Sequence, residues 1–117
     1  MIPAPLKPLV SRAALEALDI RVGTIVLVEG VPKSSKLVRL TVEFGDHQRK
    51  ILAGLKQERP DPTALEGTQC LFVVNLEPRN MMGEESQGML FDIGYADGVT
   101  PCLAVPERAV PNGARAG

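Results

Sequence analysis

Residues 37–53, LVRLTVEFGDHQRKILA, alternate apolar and polar side chains with a period of two. Val38, Leu40, Val42 and Phe44 fall on one side, and Leu37, Arg39, Thr41 and Glu43 on the other. That period predicts a half-buried strand, because a helix would repeat its apolar positions every three to four residues. Gly45-Asp46 ends it with a hairpin signal, in the reverse of the favoured Asp-Gly order, and residues 48–53 read as the returning strand. Upstream, residues 20–28 are β-branched. Ile20, Val22, Thr24, Val26 and Val28 share one face, while Ile25 and Leu27 make the other apolar too. A strand covered on both sides is expected there, with Gly23 at a bend. Downstream, residues 69–75 are a continuous apolar run, again a strand buried on both faces, and residues 87–95 supply a fifth strand. The connections are a polar loop at 29–36, a turn and short helix within 56–66, and a long loop at 76–86. Ser11 is a plausible cap for a short helix over 11–18. The tail, 96–117, is punctuated by Pro101, Pro106 and Pro111 and suits edge strands or a wrapped extension.

Five strands with a helical insert between the third and fourth is the layout of the OB-fold, a mainly all-β five-stranded barrel. Here it carries a short N-terminal helix and a C-terminal extension. In that fold the ligand face lies around strands two and three, flanked by the loops at 29–36 and 76–86. A chain of 117 residues fits a single domain, 1–117. Its 44% hydrophobic and 23% charged residues match ordinary globular usage and argue against general disorder. Two cysteines, Cys70 and Cys102, make neither a disulfide framework nor a metal spacing. No apolar run reaches the roughly 18 residues of a spanning helix, so no membrane partner is expected. Met1-Ile2-Pro3-Ala4-Pro5 lacks the basic-then-apolar layout of a secretory signal, and the expected compartment is the cytoplasm.

Chemistry is excluded on similar grounds. There is no GxxxxGK or GxGxxG loop, and no nucleophile signature surrounds Cys70, Cys102 or any serine. His47, the sole histidine, sits beside the hairpin turn, where solvent exposure is expected. A non-enzyme with no cofactor and no metal follows as the expectation. Only Phe44, Phe72, Phe91 and Tyr95 are aromatic, so a platform that stacks successive bases is not available. The charge is uneven. Residues 20–56 carry seven basic side chains against three acidic ones, whereas residues 57–117 carry four arginines against nine acids. The first half can present a basic face.

The local sequences go further. DIRVGTI at 19–25, KSSKLVRLTVEFG at 33–45, RKILAGL at 49–55 and NLEPRNMMGEESQGML at 75–90 together resemble the tRNA-binding domain. VPERAVPNGAR at 105–115 is similar to that family's ending. The resemblance covers roughly residues 12–115. It implies an OB-fold that binds the folded shape of tRNA rather than a base sequence. It also implies a homodimer assembled through the N- and C-terminal extensions. Such modules occur alone, as CsaA-like proteins, and as appendages of aminoacyl-tRNA synthetases, so a synthetase is a further partner the resemblance implies. By the same token, the positions that match are Lys33, Ser35 and Lys36 in the first loop and Arg49 on the third strand. In and after the second loop they are Asn75, Pro78, Arg79, Ser86, Gly88 and Met89. The chain departs from the family pattern at Glu77 and Asn80, where cations are frequent, and at Glu58-Arg59-Pro60, where a tyrosine is.

The chemistry of these positions fits an RNA backbone. Lys33 and Lys36, three residues apart, suit successive phosphates. Arg79 follows Pro78, whose fixed φ stiffens the loop that presents a planar guanidinium. Asn75, at the end of a buried strand, is equally suited to satisfying loop backbone groups. Met89 shares parity with Phe91 and Ile93, which predicts a core position. An alternative function is open: a CsaA-like chaperone that holds unfolded or precursor polypeptides in an apolar dimer groove near Met81, Met82 and Met89.

Overall fold

The computed structural model describes residues 1–117. Its frame is one antiparallel sheet of β1 (Ile20–Gly30), β2 (Val38–Glu43), β3 (Gln48–Ala53), β4 (Gln69–Val73) and β7 (Met89–Leu90), in the order β3-β2-β1-β4-β7. The sheet curls strongly, so its two edges approach one another. Gln87 N donates to Lys50 O at 2.9 Å, and Leu52 N donates to Ser86 Oγ at 3.0 Å, joining the β3 edge to the chain entering β7. This is the OB-like barrel the strand pattern predicts.

The alternation of the opening stretch is realised. Val38, Leu40, Val42 and Phe44 are all buried, and Phe44 packs edge-on against Phe72 with ring centroids 5.5 Å apart. They close over Ile25, Ile51, Leu55 and Cys70 in one contiguous core. Gly23 lies beneath them. A Cβ there would stand 2.6 Å from Val42 Cγ1 and 2.8 Å from Phe44 Cε1, so the bend is also a point of close approach.

Three expectations are corrected. First, β1 is not covered on both sides. Its register slips between Ile25 and Leu27, a bulge that turns Ile25 and Val28 inward and leaves Val26 and Leu27 42% exposed. Second, the loop at 76–86 contains a hairpin of β5 (Arg79–Met81) and β6 (Glu84–Ser86). Its turn is Met82-Gly83, with φ of 54° and 80°, the left-handed pair that a two-residue hairpin turn requires. Third, the fifth strand is broken into β7 and β8 (Asp92–Ile93), and β8 pairs with β9 (Cys102–Leu103) of the tail. Met89 therefore does not join the core: Leu90 is buried, while Met89 is 46% exposed. The expected short helix between β3 and β4 is present as a single 3₁₀ turn, Pro62–Leu65, capped by Asp61.

The termini behave differently from each other. Helix α1 (Arg12–Glu16) is capped by Ser11, whose Oγ accepts from Ala14 N at 3.0 Å, yet none of its residues is buried. Residues 1–10 are exposed throughout. The C-terminal tail runs along β1 instead, with Val22 N donating to Ala114 O and Ala116 N to Ile20 O, each at 2.9 Å.

Candidate nucleic-acid interface

The loop between β1 and β2 is held from within by Lys56. Its Nζ donates to Val31 O at 3.0 Å and Ser34 O at 2.7 Å, and its backbone N donates to Lys36 O at 3.0 Å. Ser34 Oγ accepts from Lys36 N and Leu37 N at 3.1 and 2.9 Å. With the backbone tied down, Lys33, Ser35 and Lys36 all point to solvent. Ser34 and Lys56 hold this loop in place, and the motif reading missed both. The signal for Ser34 is local, a serine hydroxyl that bonds backbone groups two and three residues on.

The second cationic element is the β5–β6 hairpin, which presents Arg79 to solvent. A bidentate ion pair anchors it, Arg39 Nε and Nη2 donating to Glu84 at 2.6 and 2.7 Å, with Glu29 3.4 Å from Arg39 Nη1. The Arg39 hydrogen bond holds the Glu84 carboxyl below its usual range. The fork thus ties the hairpin to β2. Between hairpin and loop lies an open groove of about 1140 Å³ lined by Lys36, Arg79, Met81, Met89, Phe91 and Tyr95, with Glu58 and Asp92 among them. Of the sequence-predicted residues, the groove brings together Lys36, Arg79 and Met89. Tyr95, 71% exposed, is the one ring offered freely to solvent.

The remaining candidates serve the frame. Arg49 Nη1 donates to Val74 O at 2.7 Å and Gln87 O at 3.3 Å, bridging the end of β4 to the segment before β7. Its Nε donates to Nε2 of His47 at 3.0 Å, and the His47 ring stacks on Phe44. His47 is exposed, as expected, but it is not idle. Asn75 Oδ1 accepts from Asp19 N at 2.7 Å and its Nδ2 donates to Ala17 O at 2.8 Å, pinning the end of α1 to β4. Ser86 is buried, and its hydroxyl donates to Gly88 O at 3.1 Å. Gly88, at φ 152°, passes so near β4 that a Cβ would lie 2.9 Å from Val73 O. Pro78 is exposed beside Arg79. Burial pushes the Cys70 thiol up to about 12, which leaves it without nucleophilic character at neutral pH. A second cleft of about 860 Å³ separates α1 from the tail and includes Arg12, Leu15, Asp19, Asn75 and Arg115.

Comparison with known proteins identifies the family and the fold. Residues 20–115 match the family described as "Putative tRNA binding domain". The chain is 41% identical over 100 residues to a methionine–tRNA ligase of Chloroherpeton thalassium, an alignment that takes 86% of this chain and 14% of the ligase. The chain therefore spans about one-seventh of that relative's length. Among solved structures, a MetRS related protein from Pyrococcus horikoshii superposes with a TM-score of 0.86 at 35% identity, covering 95% of this chain and all of the other. The chaperone CsaA of Bacillus anthracis superposes with a TM-score of 0.81 at 26% identity, covering 94% and 100%. A barrel of this topology, with a cationic loop and hairpin flanking one groove and a family match across residues 20–115, makes the chain a member of the tRNA-binding domain family.

Proposed function

We propose that the protein binds tRNA through its backbone, with little preference for base sequence. The observation that carries this reading is the convergence of Lys36 and Arg79 on one groove, from two separately anchored elements, with Lys33 on the same loop. Phosphate contacts of this kind supply sequence-independent affinity. Arg49 contributes by holding the barrel edge that supports them. A single exposed ring, Tyr95, offers too little stacking surface for sequence readout. Binding is modest, because Glu77 and Glu85 lie near Arg79 in the chain and oppose phosphate. The reading involves no catalysis, cofactor or metal, and places the protein in the cytoplasm. No helix is long and apolar enough to cross a membrane.

The acting form is a homodimer built on α1, the N-terminal arm and the C-terminal tail. Support comes from apolar surface that the barrel leaves open: Leu15 is 57% exposed and Leu18, Leu6 and Leu9 are exposed with it. A chaperone-like role, holding unfolded or precursor polypeptides, is the second reading. It is favoured by Met81 and Met89 lining the groove, by Met82 exposed in the hairpin turn, and by the likeness to CsaA. A synthetase is a further partner that the reading allows.

The test is a filter-binding titration of tRNA at several salt concentrations. Three phosphate contacts per protomer predict a log–log slope of about −3, steeper if both protomers of a dimer engage one RNA. Arg79→Ala is expected to weaken binding to all tRNAs alike and to flatten the slope by about one. An unchanged affinity and slope in folded Arg79→Ala would reject the site. Salt-insensitive binding of an unfolded peptide would then favour the second reading.

A further inference from the structure

Glu58, on the segment entering the 3₁₀ turn, and Asp92 of β8 both line the groove that holds Lys36 and Arg79. Glu58 Oε2 and Asp92 Oδ1 are each buried without a hydrogen-bond donor. The two carboxyl groups are neighbours in this groove, and Asp92 raises the Glu58 carboxyl. Two acceptors cannot satisfy one another, and two like charges at contact repel. One proton between them resolves both conflicts, since a Glu58 O–H can donate to Asp92.

The surroundings set the balance. Arg59, next to Glu58, favours the ionised form, although its own Nε is buried without an acceptor. Lys36 comes from the β1–β2 loop and Arg79 from β5, while Tyr95 adds a phenol at the rim. Burial, followed by the hydrogen bond and charge of Asp92, outweighs Arg59 and pushes the Glu58 carboxyl up to about 7.

We propose that Glu58 and Asp92 share one proton, and that releasing it weakens the hold of this groove on an RNA backbone. The proposal rests on the tRNA-binding reading above and names a regulation of that same site. Below neutral pH the pair carries one negative charge, and phosphate meets Lys36 and Arg79 with little opposition. As pH rises past neutrality the pair carries two, which oppose the same phosphate and press the insert away from β8.

The experiment measures tRNA affinity at pH 6 and pH 8 with ionic strength held constant. The wild-type protein is expected to bind about three- to tenfold more weakly at pH 8, the scale of one added charge near a phosphate in a partly solvated groove. Glu58→Gln keeps a donor toward Asp92 and a single charge, and is expected to bind tightly and equally at both values. Asp92→Asn removes the repelling partner and is expected to be equally flat. Urea unfolding reads the proton without RNA. The wild-type midpoint should fall as pH rises from 5.5 to 8, because the folded chain holds a proton that the unfolded chain has released, and Glu58→Gln should abolish that fall. Equal tRNA binding by the wild type at both pH values, or a slope that persists in Glu58→Gln, would overturn the coupling. Absence of tRNA binding even at pH 6 would overturn the functional reading and the coupling with it, whereas the urea slope alone would still report the shared proton.

Discussion

Single residues in this protein do their work through the space and the backbone groups around them. Gly23 illustrates the first. It sits in β1 under Val42 and Phe44, and any Cβ must displace one of two buried side chains that have no room to move. Gly23→Ala is expected to lower stability by about 1–3 kcal/mol, the usual range for overpacking, read as a lower urea midpoint with the slope unchanged. An unaltered midpoint would show that the strands can part there. Arg49 and Asn75 illustrate the second. The family motif includes both positions, and both spend hydrogen bonds on main-chain groups distant in sequence, Val74, Gln87, Asp19 and Ala17. A motif marks positions that a family keeps, and it does not distinguish a residue that touches the ligand from one that holds the element carrying it.

At the scale of elements, the cations are delivered by two small structures with separate fastenings. Lys56 clamps the Lys33–Lys36 loop through two carbonyls, and the Arg39–Glu84 fork clamps the Arg79 hairpin to β2. The hairpin pairs over three residues a strand, too few to hold itself in water without such an anchor. Glu84→Gln is therefore expected to reduce tRNA affinity nearly as much as Arg79→Ala while leaving the barrel folded. A crosslink or relaxation measurement should find the hairpin more mobile. Affinity equal to wild type would show that the hairpin holds its position without the ion pair. The pH dependence has a definite sign. Glu84 is held below its unfolded value, so the stabilisation is present above that value and is lost as pH falls through the folded one, on the acid side. Glu58 is displaced upward, and its contribution is lost in the opposite direction, as pH rises toward 7.

The whole molecule combines a strongly curled half-barrel with an open end. The tail is stitched to β1 by backbone hydrogen bonds, whereas the arm and α1 contact the barrel chiefly through Asn75. That contrast underlies the homodimer proposal. At micromolar concentration, sedimentation is expected to give twice the chain mass, and replacing Leu15 and Leu18 with Glu should return the protein to a monomer without unfolding it. A monomeric wild type would remove the dimer, and with it any salt slope that needs two protomers on one RNA.

The four long strands, β1 to β4, and the family are legible in local sequence. A period of two over residues 37–44, an apolar run from residue 69, and the Asn-Leu-Glu-Pro-Arg stretch are local patterns, and local patterns decide which residues form strands and which turn. Tertiary structure alone decided which side chains meet. The bulge after Ile25 reverses the parity of β1 because pairing with β2, not the sequence of β1, sets its register. Met89 faces out because pairing with β4 sets Leu90 beside buried Phe72 and turns it inward, a pairing that no window around Met89 contains. Arg39 and Glu84 are 45 residues apart, and Glu58 and Asp92 come to line one groove only in the folded chain. Hydrogen bonds and shared protons depend on separations of a few ångströms, and those distances exist only once the sheet has curled.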